Sequence, residues 1–268
     1  MNLQKPFKLV SNGGDYDQIF KPCFTDGNVK WGFLFYWGLA DMSDNNNNNK
    51  NDQPKEEQKP SDETQAQFRQ ISKDELKQIY KDHIKWIKSK GKEGKRADLR
   101  LSNLKGLKLK KAVLAYADLQ QSNLFRVNLQ QAILIRTNLK KSYLCQANLR
   151  MVSLYKANLE SAEIIGSILS DSNLTETNLK NCNCKGSDFE RAILVKANLQ
   201  GADLLSTFFE EADLRDANLK EVKNLTIEQL AGAKTLYQAK LDPELIKRIK
   251  KNYPYLLEEP KEKTDQTK

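Results

Sequence analysis

The stretch ANLRMVSLYKANLESAEIIG, residues 147–166, places a large apolar residue at every fifth position. The same spacing runs without insertion from Leu99 to Leu219, and 21 of these 25 positions are leucine. Two residues before most of them stands a small residue, Ala, Ser, Thr or Val. The remaining four positions carry residues that can also be buried: Ile164, Cys184, Phe189 and Phe209. The chain is therefore a repeat protein with a five-residue unit.

A period of five fits neither regular element. On an α-helix, at about 100° per residue, successive leucines stand roughly 140° apart and form no face. In a flat strand they alternate between the two sides. The pattern is satisfied if each unit is a short extended piece that ends in a turn, with its small and its large residue pointing inward. The Asn or Asp between them favours such turns, because it tolerates unusual backbone angles and hydrogen-bonds its own backbone. A stack of these units predicts a solenoid.

The repeated units resemble the A(D/N)LXX motif of the pentapeptide-repeat family over residues 97–221, for example in ADLRL, SNLKG, ADLQQ, SNLFR, ANLES, ANLQG, ADLLS and ADLRD. The resemblance implies an all-β solenoid, a right-handed quadrilateral β-helix with four units per coil. About six coils, with about 4.8 Å between neighbouring strands, would make a rod roughly 30 Å long.

An α-helical cap is predicted before the repeats, in residues 68–96. Ser72 and Glu75 mark the start of an amphipathic helix, which should cover the open edge of the first coil. His83 and Trp86 lie on this helix, and we expect both to be packing residues with no catalytic or ligand-binding role.

A second helical cap is predicted after the repeats, in residues 222–257. Thr226 and Gln229 form a capping pattern, and Asp242-Pro243 begins a further helix. The C-terminal elements of related quinolone-resistance proteins mediate dimerisation, so the resemblance also allows a homodimer. Residues 258–268 are predicted to be a disordered tail.

The N-terminal residues divide into two segments. Residues 1–40 hold nine of the chain's 22 aromatic residues, and Asp26-Gly27 could turn a hairpin there. Residues 41–67 contain almost nothing that can be buried and are predicted to be a disordered linker. The aromatic segment either docks on a partner or a membrane interface, or folds back on the solenoid. The docking residues would be Trp31, Phe33, Phe35 and Trp37.

The register also predicts what the outside of the solenoid presents. With four units per coil, residues twenty apart stack above one another. One side then carries outward apolar residues over several coils, which is typical of a covered surface. The candidate partner-binding residues on this side are Val113, Tyr116, Ile133, Ile135, Tyr155, Ile193 and Val195. A thinner stripe on another side consists of Phe125, Cys145, Ile165 and Leu205.

The formal charges are distributed unevenly along the repeats. Residues 97–156 hold eleven Lys and Arg against two Asp, whereas residues 157–220 hold six against eleven Asp and Glu. This polarity favours head-to-tail association of rods or an oriented partner.

Several kinds of site have little support in this composition. Four cysteines, Cys23, Cys145, Cys182 and Cys184, and one histidine are too few and too irregularly spaced for a disulfide scaffold or a metal site. We expect buried thiols, no cofactor and no enzyme activity. The longest apolar run, residues 32–40, is too short to cross a membrane. We expect a cytoplasmic protein.

These observations favour a nonenzymatic scaffold for protein–protein interaction or assembly, with a tethered N-terminal docking segment. Its partner would be another protein or a second copy of the chain, and nucleic acid is not the expected partner. Peripheral membrane contact through residues 31–40 stays open. The family resemblance implies one alternative, a DNA mimic that protects or inhibits DNA gyrase or topoisomerase. The net charge of +4 over the repeats speaks against this alternative.

Overall fold

The computed structural model describes residues 68–260. The predicted aromatic segment 1–40, the linker 41–67 and most of the C-terminal tail lie outside these residues. The regular elements are β1 (Arg69–Gln70), α1 (Lys73–Lys88), β2 (Ser102–Asn103), α2 (Ile227–Leu230), α3 (Pro243–Asn252) and a 3-10 helix (Pro254–Leu257). Between β2 and α2 the chain forms short bridges at regular intervals.

Parallel bridges join residues that are twenty apart in sequence. One ladder runs through Asp98, Asp118, Asn138, Asn158, Asn178, Asn198, Asn218 and Lys240, and three further ladders run beside it. Twenty residues are four units, so residues 97–216 make six coils, and each coil contributes to four ladders. The last step, from Asn218 to Lys240, spans 22 residues. Residues after the regular repeats therefore add an atypical partial coil to the stack before α3 begins.

The fifth residues form the core, as the spacing predicted. Leu104, Leu124 and Leu144 are fully buried one above another, and Cys184 occupies the same position two coils further on. Phe189 and Phe209 fill the inward position of the next unit in consecutive coils, and their rings stack with centroids 5.6 Å apart. The core is therefore one continuous column of side chains with small residues beside it.

Serine and threonine can occupy the small inward position because their hydroxyl groups donate hydrogen bonds to backbone carbonyl groups. The Ser122 hydroxyl donates to the Leu119 carbonyl at 2.7 Å, and the Thr137 hydroxyl donates to the Leu114 carbonyl at the same distance. A buried hydroxyl with such a partner avoids most of the cost of losing water.

The chain turns each corner at the second residue after the inward leucine. Gln121, Lys141 and Ser161 lie there in successive coils, with φ of +55°, +56° and +56°. The prediction that Asn and Asp take the unusual angles is wrong, because they stand three residues before this corner. Their predicted hydrogen bonds to nearby backbone are confirmed: the Asn158 side-chain oxygen accepts from the Glu160 N–H at 3.1 Å.

Helix α1 covers the first coil and satisfies edge groups that have no preceding coil. Leu76 and Tyr80 join the core of the solenoid. The Tyr80 hydroxyl oxygen accepts from the Val113 N–H at 3.2 Å, and Nδ1 of His83 accepts from the Ala97 N–H at 3.1 Å. Beside the helix, β1 pairs in parallel with β2. The cap thus supplies both apolar cover and hydrogen-bond acceptors.

The C-terminal cap begins with the predicted pattern at α2. The Thr226 side chain accepts from the Gln229 N–H, and the Gln229 side chain accepts from the Thr226 N–H. The side-chain nitrogen of Gln229 also donates to the carbonyls of Leu204 and Thr207, at 2.8 and 2.9 Å. One glutamine therefore caps its own helix and the edge of the last full coil. Buried Ile249 of α3 completes the cover.

His83 is fully buried beneath α1, next to the stacked ring of Trp86. Burial and the nearby positive charge of Arg96 lower the pKa of His83 from 6.5 to about 4. Its Nε2 atom has no hydrogen-bond partner among residues 68–260. The imidazole is therefore neutral at neutral pH and acts as an acceptor toward the first coil.

The core column predicts a large difference between two leucine substitutions. Leu154→Ala should lower the free energy of unfolding by about 3 kcal/mol, because it leaves a cavity in a filled column. Leu101→Ala, at a corner where the side chain is exposed, should cost less than about 0.5 kcal/mol. Urea denaturation followed by circular dichroism measures both. Equal effects of the two substitutions would contradict the assignment of the column.

The buried state of His83 predicts acid sensitivity. The unfolded chain binds a proton at His83 below about pH 6.5, whereas the folded chain does so only near pH 4, so stability falls as the pH drops through this window. From pH 7 to pH 5 the loss should be about 2 kcal/mol, since most carboxylates stay ionised there. His83→Gln retains a hydrogen-bond acceptor and should remove most of this loss in paired urea titrations. A variant that loses as much as the wild type would show that another group is responsible.

Candidate interaction surface

Seven of the candidate partner-binding residues, with Ala115, stack on one outer side of the solenoid. We call this set the outer apolar column: Val113, Ala115, Tyr116, Ile133, Ile135, Tyr155, Ile193 and Val195. Bridges from Val113 to Ile133, Ser153, Asn173 and Ile193 confirm that these positions lie in register over five coils. The polar pair Asn173 and Thr175 interrupts the column and divides it into two parts. The upper part lies before this pair and consists of Val113, Ala115, Tyr116, Ile133, Ile135 and Tyr155. The lower part lies after it and consists of Ile193 and Val195.

The end of α1 covers the upper part of the outer apolar column. Ile87 forms a cluster with Ala115 and Ile135, and the Trp86 ring stands edge-on to Tyr116 with centroids 6.0 Å apart. Ile135 is only 6% exposed as a result. The sequence analysis assigned α1 to the open coil end alone, but the helix also reaches around the edge. Ile135 is therefore not an open contact position in this structure.

The lower part of the outer apolar column stays half-buried and uncovered by any described helix. It consists of Ile193 and Val195. Arg215, in the next coil, turns toward Asp213 with 2.6 Å between its guanidinium and the carboxylate. The lower part is thus a small apolar area bordered by charges, and its role in partner binding stays a prediction.

The second stripe also divides into two parts. Phe125 and Cys145 are buried although their positions point outward. Lys105 and the Arg126 guanidinium lie over the Phe125 ring, 5.3 and 5.0 Å from its centroid. Further along, Ile165 is half-buried and Leu205 is 48% exposed.

Two exposed residues that the sequence analysis did not select lie around the corner from Ile165 and Leu205. Ile168 is 43% exposed and Phe208 is 61% exposed, and both belong to the ladder on the next side of the solenoid. The sequence contains a signal that could have identified them, because both are apolar residues at a position that holds Asn or Asp in most units. We call Ile165, Ile168, Leu205 and Phe208 the corner patch.

The corner patch has a gap in its middle. Its two halves belong to coils that are two steps, or about 10 Å, apart. The intervening coil has Gly186 at the corner, where an added Cβ atom would meet nothing within 4 Å. Lys185 and Asp188 of this coil stand between the two halves of the patch, since Asp188 bridges to both Ile168 and Phe208. Two apolar ridges therefore flank a strip that carries one basic and one acidic side chain.

The predicted docking residues Trp31, Phe33, Phe35 and Trp37 lie outside the described residues. Their role and that of residues 1–40 stay predictions.

Ion pairs between coils account for much of the charge polarity. Residues 137–156 hold four basic and no acidic residues, whereas residues 157–176 hold four acidic and no basic residues. Stacking joins the two sets through Lys140 with Glu160 at 3.1 Å, Arg150 with Asp171 at 3.2 Å and Lys156 with Glu176 at 3.4 Å. Hydrogen bonding to Arg191, from the opposite side, lowers the pKa of Asp171.

The ends of the stack do not have opposite charges. The C-terminal cap, residues 222–257, holds seven Lys and Arg against three Asp and Glu. Residues 68–96 at the other end hold ten against four. The head-to-tail attraction suggested by the repeats alone is therefore not supported, because two basic ends repel each other.

Cys145, Cys182 and Cys184 are buried free thiols, as the sequence analysis predicted. Burial raises the pKa of Cys145 to about 11. Among residues 68–260 no group of three or more His, Cys, Asp and Glu is placed to hold a metal ion. Within the same range no helix is both long and apolar enough to cross a membrane.

Comparisons with known proteins place these repeats in a family. The model for pentapeptide repeats (eight copies) matches residues 95–131, 122–160, 157–194 and 192–223. Residues 95–223, the part that forms the coils, therefore belong to the pentapeptide-repeat family. No match is found among curated proteins.

Solved structures of pentapeptide-repeat proteins are similar to parts of the chain. HetL, involved in heterocyst differentiation regulation in the cyanobacterium Nostoc sp. strain PCC 7120, is 26% identical, with 55% of this chain and 77% of HetL covered and a TM-score of 0.24. QnrB1, a plasmid-mediated fluoroquinolone resistance protein, is 17% identical over 57% of this chain and 88% of its own, with a TM-score of 0.38. A protein of the Arabidopsis thaliana thylakoid lumen is 24% identical over 44% and 69%, with a TM-score of 0.26.

The two parts of the outer apolar column predict different responses to charge. Ile135→Asp places a carboxylate beneath Ile87 and should destabilise the cap by about 3 kcal/mol or more. Val195→Asp lies in the uncovered part and should cost less than about 1 kcal/mol. Thermal unfolding followed by circular dichroism compares the two variants. If Ile135→Asp is as stable as Val195→Asp, the helix does not cover this part of the column.

Proposed function

We propose that this pentapeptide-repeat protein is a nonenzymatic scaffold that binds a partner protein through the corner patch. The rod would be the right-handed quadrilateral β-helix that the family resemblance implies, and residues 1–40 would be a tethered docking segment. The observation that carries the proposal is the exposure of Leu205 and Phe208 on a rod whose other outward positions are mostly polar.

The corner patch has the features of a contact surface on a rigid support. Phe208, Leu205 and Ile168 are the most exposed large apolar residues of the coils apart from Leu101. Large apolar side chains clustered on a polar background mark interaction sites, because exposing them to water costs free energy that binding recovers. The Phe189 and Phe209 stack lies in the same coils and makes the backbone beneath the patch stiff.

The gap between the two ridges indicates what the partner would present. Lys185, which pairs with Asp203 at 3.1 Å, and Asp188 lie between the ridges. A partner would therefore place apolar side chains against Leu205 and Phe208 and polar groups over the charged strip beside them. Interfaces commonly combine apolar contacts with hydrogen bonds in this way.

The alternative role as a DNA mimic is less well supported. Such a mimic presents continuous negative charge, whereas the acidic residues of residues 157–176 are largely paired with bases of the preceding coil. Both ends of the stack are basic as well. These features favour a scaffold that binds through apolar contacts.

The test is site-specific photo-crosslinking in the native cell, with a photoreactive residue at Ser206, the corner residue between Leu205 and Phe208. We expect a protein adduct from this position, and we expect Leu205→Glu with Phe208→Glu to abolish it. Because both side chains are exposed, the double variant should lose less than about 1 kcal/mol of stability.

The matched control is Gln121→Glu with Asn181→Glu, which adds the same charge at exposed positions on another side. This control should keep the adduct. If Ser206 gives no adduct, or if both double variants keep it, the corner patch is not the binding surface. Light scattering of the purified wild type then distinguishes a second copy of the chain from a different partner.

A further inference from the structure

The N-terminal end of the rod carries a dense set of lysines. Helix α1 buries Leu76, Tyr80, His83 and Ile87 against the solenoid. Its other side presents Lys73, Lys77, Lys81 and Lys85 at intervals of four residues, and all four are exposed. Four-residue spacing aligns side chains on one face of a helix. The lysines therefore form a stripe on the side of α1 that is turned to solvent.

The loop after α1 adds more positive charge to the same place. The Lys95 N–H donates to the Asp82 carbonyl at 3.2 Å, and the Glu93 N–H donates to the Ser89 hydroxyl at 2.8 Å. Gly94 lies so close to the helix that an added Cβ atom would overlap the Asp82 carbonyl. The loop is thus folded back along the last turns of α1. We call this surface the cationic end: Lys73, Lys77, Lys81, Lys85, Lys90, Lys92 and Lys95.

Within residues 68–260, most charges of the cationic end have no neutralising partner. Lys81, Lys85 and Lys92 form no ion pair there, in contrast to Lys140, Lys156 and Lys185, which pair across the stack. Among the described residues the one ion pair in the set joins Lys77 to Asp74 at 3.7 Å, and the Asp74 side chain is almost fully exposed. A surface that keeps so much unpaired charge of one sign attracts a polyanion.

We propose that the cationic end binds the anionic headgroup surface of a lipid bilayer, with the rod standing on the membrane. This inference goes beyond the proposed protein-binding function, because it concerns the opposite part of the rod from the corner patch. Clusters of four to eight lysines on a helix are typical of contacts with anionic lipids, and each lysine contributes about a five-fold increase in affinity.

The chemistry of the cationic end favours a lipid surface over a nucleic acid. Eight of the ten basic residues in residues 68–96 are lysines, and Arg69 is paired with Glu75, so few planar guanidinium groups are available to read base edges. The nearby aromatic rings that could stack on bases are occupied, since Tyr80 is buried and Trp86 packs on Tyr116.

The connection of an apolar run to the N-terminal end of the rod also supports a lipid surface as the partner. The described part begins at Phe68, and β1 pairs with β2 in the first coil. The apolar run GFLFYWGLA, residues 32–40, is therefore joined to the rod at its cationic end. Stable membrane attachment usually needs two signals, such as an apolar element together with a basic patch, and this chain carries both.

The test is co-sedimentation of the full chain with vesicles that contain about one third phosphatidylserine in phosphatidylcholine. We expect binding to these vesicles, little binding to pure phosphatidylcholine, and a marked loss when the ionic strength rises from about 0.05 M to about 0.5 M. The triple variant Lys81→Gln, Lys85→Gln and Lys92→Gln should bind about 100-fold more weakly, because it removes three unpaired charges.

The matched control is Lys247→Gln, Lys250→Gln and Lys251→Gln, which removes the same charge from exposed positions of α3. This variant should keep most of the affinity. Equal losses in both triple variants would show that only net charge matters and would overturn the proposal. Tighter binding to a 20-base-pair DNA duplex than to the anionic vesicles, at the same salt concentration, would overturn it in favour of nucleic acid.

Discussion

The hydrogen bonds between successive coils are the interaction on which the rest of the structure depends. The Leu159 N–H donates to the Asn178 carbonyl at 2.7 Å, and the Ser161 N–H donates to the Lys180 carbonyl at 2.9 Å. Repeated at every unit, these bonds fix the coil at twenty residues and hold corner residues at positive φ, a backbone region that ordinary residues avoid. The stacked leucines can fill the core only because the bonds keep every coil in register.

A ladder of this kind has two ends, and each end exposes backbone groups that would otherwise be unpaired. In the first coil, backbone N–H groups donate to two side chains of α1, Tyr80 and His83. The last coil uses Gln229, which donates to two carbonyls at once. Because an unsatisfied buried donor costs about 1–3 kcal/mol, the polar side chains of the caps matter as much as their apolar cover. The open edge is also a site for unwanted pairing with another chain, and both caps close it.

Stacking also decides what the outer surface offers to other molecules. Opposite charges twenty residues apart meet and neutralise one another, as Lys140 and Glu160 do. Apolar residues twenty apart, such as Ala115 and Ile135, meet as well and form the surface on which α1 packs. The two halves of the corner patch are forty residues apart and stay open. What remains available is therefore local: the exposed residues of the corner patch and a cluster of unpaired lysines at the N-terminal end. These two surfaces lie at different heights on the rod and could be occupied at the same time.

The sequence by itself determined the repeat, its inward residues and the starts of all three helices, because a strict five-residue period and helix-capping patterns depend on residues close together in the chain. It also identified Leu205 by register. Only the tertiary structure decided that Ile135 lies beneath Ile87, since the reach of α1 around the edge depends on where the helix docks. The exposure of Phe208 beside Leu205 was decided in the same way, because a corner joins residues that belong to different sides of the coil. The tertiary structure also decided the distribution of charge. Ion pairs between stacked coils make the middle of the solenoid largely neutral, and both ends are basic.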